Sequence, residues 1–330
     1  MSRAGVCSQF GPTRGCRRRG LLLLAFAACA VGASADIGVR DDTGAEVRLR
    51  EPARRIVSLA PDITENLFAV GAGDRIVGTV DYSDYPAAAG RIARIGGYAS
   101  LDLETILALK PDLVIAWRTG NSPDEVDRLK RLGIPLFWSE PDRMEEVAGN
   151  LESFGELAGT SSVARTAAAA YRARLASLRQ RYSARPPVRT FYQIWAEPMM
   201  TVGGSQIIDS AIRLCGGVNI FGRLTQMAPV VSVEAVLAAD PEVIVASGLD
   251  ETRPEWLDAW RRWPQLTATA RGNLFLIPPD LLQRHTPRLL DGAEQLCRDL
   301  ESARGRRSPG AADHRKSVRR LKKTLRASAG

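Results

Sequence analysis

From Arg55 onward, short apolar runs alternate with stretches of helical spacing. "RIVSLA" (55–60) predicts a strand, "PDITENLFAVGAG" (61–73) a helix entered at proline and left at glycine, and "RIVGTV" (75–80) a second strand. "LDLETILALK" (101–110) then reads as helix and "PDLVIAW" (111–117) as a strand without polar alternation after Asp112, the pattern of a parallel strand covered on both faces. "DEVDRLKRLG" and "IPLFWSE" repeat the alternation, so residues 36–141 are expected to form one α/β lobe. Residues 142–186 contain no strand-like run. They are rich in Ala, Glu and Arg and end at "SARPPV", where two prolines cannot continue a helix, so they predict a rigid helical connection. The alternation resumes over 187–303: "VRTFYQIW", "SQIIDSAIRLCGG", "VEAVLAAD", "PEVIVAS", "EWLDAWRRWPQL", "NLFLIP" and "TPRLLDGAEQLCRDLES" read as strand, helix, helix, strand, helix, strand and closing helix. The fold class is therefore α/β, with two lobes of mainly parallel sheet joined by a long rigid helix.

One helix-strand unit occurs twice. "LETILALKPDLVIAW" (103–117) and "VEAVLAADPEVIVAS" (233–247) match at Glu104 and Glu234, Leu107-Ala108 and Leu237-Ala238, and Pro111 and Pro241. Each glutamate falls two residues after a candidate N-cap, Asp102 or Ser232, where the helix dipole also favours an acid.

Both chain ends differ from this body. Residues 1–35 combine a basic stretch ending in Arg17-Arg18-Arg19, the apolar run "LLLLAFAACAVG" and the small-residue pattern Ala33-Ser34-Ala35, which predict a signal peptide and a mature chain starting at Asp36. The apolar run is shorter than the roughly 20 residues of a spanning helix, and Cys29 leaves a lipid-anchored form as the alternative. Residues 304–330 hold ten basic side chains against Asp313 alone and read as a disordered basic tail, either merely solvated or weakly attracted to anionic headgroups. These ends produce the overall charge of +8, whereas residues 36–303 are net negative, near −6. A nucleic-acid partner is therefore not expected.

The mature region retains two of the five cysteines, Cys215 and Cys297. In an exported protein they form a disulfide or remain two buried thiols. Catalytic signatures are missing: "GAGDRI" lacks the third glycine of a dinucleotide loop, "VGGSQI" lacks the second glycine of a nucleophile elbow, and His285 is the sole histidine of residues 36–303. A metal site of several imidazoles is thus excluded, although one built of carboxylates alone is not; no metal ligand is assigned, no cofactor is expected, and binding is a better class of function than catalysis. Aromatics do cluster near predicted strand ends, at Tyr82, Tyr85, Tyr98, Trp117 and Trp195, where open α/β sheets usually hold ligands.

"RIVSLAPDITENLFAVGAGDRIVG", "DYSDYP", "LETILALKPDLVIAWRTGN", "LCGGVNIF" and "TPRLLDGAEQLC", in this order over about residues 54–300, resemble the helical-backbone substrate-binding proteins of bacterial ABC importers, and the cobalamin binders among them most of all. The resemblance implies the class III periplasmic binding protein fold, two Rossmann-like lobes around a rigid helix, and a periplasmic protein that hands its ligand to a permease and its ATPase without chemistry. It implies ligand contacts at Tyr82, Tyr98, Trp117, Met200, Asp280 and Arg284, a Cys215–Cys297 disulfide, and permease docking through Glu104 and Glu234. Tyr98, Met200 and Ala228 stand where the best-known of the cobalamin binders that this chain resembles carries Trp, Phe and Trp, which keeps a related corrinoid, haem or a ferric siderophore open as ligand. An exported α/β enzyme is the alternative from another class.

Overall fold

The computed structural model describes residues 36–97, 100–247 and 254–307. The expected signal peptide with Cys29, the aromatic Tyr98 and the tail beyond residue 307 lie outside these residues. Among the described residues no helix is long and apolar enough to cross a membrane.

The described chain opens on a hairpin that the sequence reading left unassigned, Ile37–Arg40 (β1) paired antiparallel with Glu46–Leu49 (β2). Its side chains alternate as a sheet with one wet face requires: Val39, Val47 and Leu49 are buried while Arg40, Glu46 and Arg48 are exposed. Asp41 shapes the turn, its Oδ1 accepting from the backbone N–H groups of Thr43 (2.9 Å) and Ala45 (3.0 Å).

The first lobe follows as Ile56–Ser58 (β3), Pro61–Ala69 (α1), Ile76–Thr79 (β4), the two-residue strands Gly96–Gly97 (β5) and Ser100–Leu101 (β6), Leu103–Ala108 (α2), Leu113–Trp117 (β7), Pro123–Arg131 (α3) and Leu136–Ser139 (β8). Strands β4-β3-β7-β8 form a wholly parallel sheet. Ile56, Leu113 and Ile115 enter one core and Val57, Val114 and Ala116 another, so each strand is buried on both faces. That is why these runs lack polar alternation.

The connecting segment is two helices folded back on one another, Val147–Leu157 (α4) and Ser161–Tyr182 (α5). The chain reverses at Gly159, whose φ of 66° lies in the left-handed region that glycine adopts without strain. Gly155 lets the two helices approach closely, since a Cβ there would fall 2.1 Å from that of Ala164. The 22 residues of α5 rise ~33 Å at 1.5 Å each. Its buried side chains, Ala164, Ala168, Tyr171, Leu175, Leu178 and Tyr182, follow a 4-3-4-3-4 spacing and form one stripe. The stripe belongs to a single apolar cluster that also contains Ile56 and Leu151 of the first half and Ile212, Val245 and Leu296 of the second. Arg174 of this helix pairs with Asp291 (2.6 Å) and Glu294 (2.9 Å), Arg172 with Glu152 (2.6 Å), and Arg179 with Glu145.

The second lobe runs Val188–Trp195 (β9), Met200–Thr201 (β10), Ile207–Leu214 (α6), Gly217–Asn219 (β11), Val233–Ala239 (α7), Val243–Ala246 (β12), Glu255–Asp258 (α8), Thr267–Ala270 (α9), Leu274–Leu276 (β13), Pro279–Leu282 (α10) and Leu289–Gly305 (α11). Strands β9, β12 and β13 are parallel, β11 joins β9 in parallel and β10 joins it antiparallel.

A disulfide links Cys215, just past α6, to Cys297 on α11, with Cα atoms 4.7 Å apart. The basic tail begins later than expected. Arg304 donates to the carbonyls of Pro186 (2.7 Å) and Cys215 (2.8 Å), and Arg307 pairs with Glu242 at 3.0 Å, so residues 304–307 belong to the folded lobe. Backbone carbonyls at the base of the sheet need donors, and these guanidiniums supply them.

The disulfide closes a loop of 82 residues, so replacing both Cys215 and Cys297 with Ala is expected to cost about 4 kcal/mol of stability in the chain-entropy account. Urea unfolding of the oxidised wild type and the double variant measures it.

Candidate functional site: an interlobe cleft

Because the strands of each sheet are parallel, the loops leaving their carboxyl ends gather on one edge. In the first lobe these are the start of α1 after β3, the segment 80–86 after β4 and the segment 118–121 after β7. In the second they are the segments after β9, β12 and β13. Contacts between residues 65–85 and 284–288 show that the two carboxyl edges face each other. The candidate site is the cleft between them.

The floor of that meeting place is ionic. Glu65 of α1 is 3% exposed. Its Oε1 accepts from Thr286 Oγ1 at 2.7 Å and lies 2.9 Å from Arg288 Nε, while Oε2 lies 3.8 Å from Arg284 Nη1. Burial raises the pKa of Glu65, and the Thr286 hydrogen bond followed by the charges of Arg288 and Arg284 opposes the rise. The neighbouring Asn66 donates to the carbonyl of His285 at 2.9 Å. Arg288 also stacks its guanidinium 4.0 Å from the centre of the Tyr85 ring, so one second-lobe arginine pairs with a buried first-lobe acid and covers a first-lobe aromatic.

Asp280 and Arg284 sit one turn apart and pair at 2.9 Å. Arg284, with its side chain 12% exposed, reaches across to Asp84 (2.9 Å) and the Tyr82 carbonyl (3.2 Å). Two of the expected second-lobe ligand residues are therefore engaged with each other and with the first lobe. A ligand that uses Arg284 takes the place of Asp84 or the Tyr82 carbonyl.

Tyr82 is 76% exposed and held at a φ of 61°, rare for a residue with a side chain. Tyr85 is exposed beside it. Trp117 ends β7 half-buried, its Nε1 donating to Glu140 Oε1 at 3.2 Å. Met200, in β10, pairs with Trp195 at the carboxyl end of β9. Tyr82, Asp280 and Arg284 are thus brought together at one point, with Trp117 on the same first-lobe edge and Met200 on the second-lobe edge.

The sequence reading missed an aromatic-lined cavity of the second lobe. In "EWLDAWRRW" it saw a helix, yet Trp256, Trp260 and Trp263, at i, i+4 and i+7, line a cavity of about 310 Å³ with Met199, Glu197 and Arg262. Trp260 is fastened edge-on to Phe191 (5.7 Å between centroids) and by Nε1 to Gln193 Oε1 (2.8 Å). The helical spacing of the three indoles was the available signal.

The repeated helix-strand unit is repeated in its hydrogen bonds too. Asp102 Oδ1 caps α2 at the Thr105 N–H (3.0 Å), and Ser232 Oγ caps α7 at the Ala235 N–H (3.2 Å). The helices are followed by left-handed residues, Lys110 (φ 46°) and Asp240 (φ 43°), each before a proline. Arg55 Nε then donates to the Lys110 carbonyl (3.2 Å), as Arg189 Nε does to that of Asp240 (3.0 Å). Asp112 N–H meets the Arg55 carbonyl (3.0 Å), as Glu242 N–H meets that of Arg189 (2.8 Å). Glu104 and Glu234 are exposed in the first turns, which start at the carboxyl edge because each helix runs antiparallel to its strand. Glu234 is held below the usual carboxylate range by its own backbone N–H and by Ser232.

A two-lobed α/β body with an aromatic, ionically floored cleft is the architecture of a solute-binding protein. The family model described as periplasmic binding protein matches residues 56–281, and the chain belongs to that family. Among curated relatives, a vitamin B12-binding protein of Vibrio cholerae serotype O1 is 39% identical over 253 residues, covering 76% of this chain and 91% of the relative. One of Yersinia pestis is 36% identical over 256 residues, covering 76% and 88%. The crystal structure of the periplasmic vitamin B12 binding protein BtuF of Vibrio cholerae aligns with a TM-score of 0.71 at 38% identity, over 77% of this chain and 98% of that one. The periplasmic haem-binding protein RhuT of Roseiflexus sp. RS-1 shares the fold, with a TM-score of 0.67 at 23% identity over 76% and 99%.

Truncating one partner of a buried ion pair leaves the other uncompensated, so Arg288→Ala is expected to cost about 3 kcal/mol. The double variant Glu65→Leu with Arg288→Met should recover most of that loss, as read by urea unfolding.

Proposed function

We propose that this protein is the substrate-binding subunit of an ABC importer, which captures cobalamin or a related corrinoid in the interlobe cleft, in the periplasm, and delivers it to a membrane permease and its ATPase. The observation that carries the reading is the identity of 36–39% over three quarters of the chain to relatives named vitamin B12-binding proteins. The cleft is consistent with it: Tyr82 and Trp117 offer apolar faces, Met200 a thioether that adapts to varied shapes, and Asp280 with Arg284 polar groups for a rim of amides. Tyr98, which lies outside the described residues, completes the proposed set. The ligand is cargo, no cofactor is called for, and no step of chemistry is assigned to the protein. Contact with the membrane is through the permease, or through a lipid on Cys29.

Glu104 and Glu234 are proposed as the docking groups, one carboxylate per lobe for the two halves of a permease. Two helix starts, each capped by a side-chain oxygen two residues before its glutamate, support this, because a two-fold partner needs the same feature presented twice.

Calorimetric titration of the mature protein with cyanocobalamin should give one site per chain, with Tyr82→Ala weakening it about tenfold, the loss of one aromatic contact. Absence of heat together with haem binding would assign the cleft to haem instead. Replacing Glu104 and Glu234 together with Ala should leave that titration unchanged and abolish uptake in cells. Uptake that survives the double change would reduce the repeat to architecture.

A further inference from the structure

The indole of Trp117 is held on two sides. On one side Nε1 donates to Glu140 Oε1 at 3.2 Å. On the other the ring packs against Gly120, so closely that a Cβ at that glycine would fall 1.8 Å from Cε3. The loop between them is closed on itself. Trp117 N–H donates to Asn121 Oδ1 (2.7 Å), Asn121 N–H donates back to the Trp117 carbonyl (3.0 Å), and Asn121 Nδ2 ties the turn to the Leu59 carbonyl (2.9 Å).

Glu140 is 3% exposed. Thr119 Oγ1 donates to its Oε1 at 2.6 Å and Arg118 Nε lies 3.3 Å from its Oε2, so three consecutive residues of the loop converge on one carboxylate. Its own backbone N–H donates to Asp42 Oδ2 (2.6 Å), and that oxygen also accepts from Asn150 (2.7 Å). The backbone of Glu140 is thus anchored from behind by Asp42 of the N-terminal hairpin turn, which Asn150 of α4 holds in place. Burying a carboxylate is costly unless it is fully paired, and an apolar side chain would fill the same space without that cost. What the carboxylate adds is direction, since it gives the indole N–H a fixed acceptor while Arg118 and Thr119 hold that acceptor in place.

We infer that Glu140 and Gly120 are positioning residues that preorganise the Trp117 ring as the first-lobe stacking face for the ligand. The inference rests on the cleft being the ligand site. A ring already fixed in its bound orientation loses little freedom on binding, which is how an interaction outside the cleft raises affinity inside it.

A double-mutant cycle tests this, with Glu140→Leu, Trp117→Phe, the two combined, and Glu140→Gln as the conservative variant, each titrated with cyanocobalamin. Phenylalanine keeps an aromatic face and has no N–H. Glu140→Leu is expected to weaken binding about tenfold, the worth of one charge-assisted hydrogen bond, and Glu140→Gln to restore it to within about threefold. In the Trp117→Phe background Glu140→Leu should weaken binding less than about twofold. An equal loss in both backgrounds overturns the inference.

A second measurement needs no ligand. The near-ultraviolet circular dichroism band that Trp117→Phe removes should also fade in Glu140→Leu and in Gly120→Ala, with the far-ultraviolet spectrum retained. A band that persists in both overturns the positioning role, and Gly120→Ala alone decides if Glu140→Leu does not fold. Wild-type protein that binds neither cyanocobalamin nor haem would instead sink the reading of the cleft, while the spectra still decide whether Glu140 orients the ring.

Discussion

The geometry of the cleft depends on the buried carboxylate of Glu65. It sits on the first helix of one lobe, and its partners, Thr286, Arg288 and the more distant Arg284, lie within five residues of one another in the other lobe. Apolar contact alone would allow the lobes to slide, because it has little directional preference. Hydrogen bonds and ion pairs to a buried acid fix both distance and direction, since every misalignment leaves a charge without compensation. The stripe on α5 joins the two cores, and the Glu65 network sets how their carboxyl edges meet.

Within that frame the lobes are alike where they build and different where they face the cleft. The helix-strand unit recurs down to the arginine that caps the helix and the backbone bond that starts the strand. The cleft walls do not recur. The first lobe offers an exposed tyrosine on a left-handed residue and an indole pinned by Glu140, whereas the second offers the Asp280–Arg284 pair. An asymmetric ligand would need different walls, and a two-fold partner the same outer features.

The parts legible in the sequence were those with a local signature. Strands β3, β7, β9 and β12 announced themselves as apolar runs because both their faces are buried. Tyr82 and Trp117 were legible as aromatics at strand ends, and the Glu104 and Glu234 pair as a repeated string. The disulfide stood open between two readings until the resemblance favoured one, since spacing alone does not bring two cysteines together. Other features had no signature. The hairpin at residues 37–49 is two short strands in a polar stretch. Glu140 was only the last letter of a strand. Trp256, Trp260 and Trp263 resembled any helix with a buried face.

Taken by itself, the sequence determined the α/β alternation, the two lobes, the helical connection and the residue types available to a cleft. These depend on periodicity and on turn chemistry, which act over a few residues. Only the tertiary structure decided that Glu65 would meet Arg288, that Arg284 would be occupied by Asp84, and that Glu140 would orient Trp117. The physical reason is that an ion pair or a hydrogen bond is specified by position in space, and residues separated by 23 positions or by 223 leave no periodic trace in the chain.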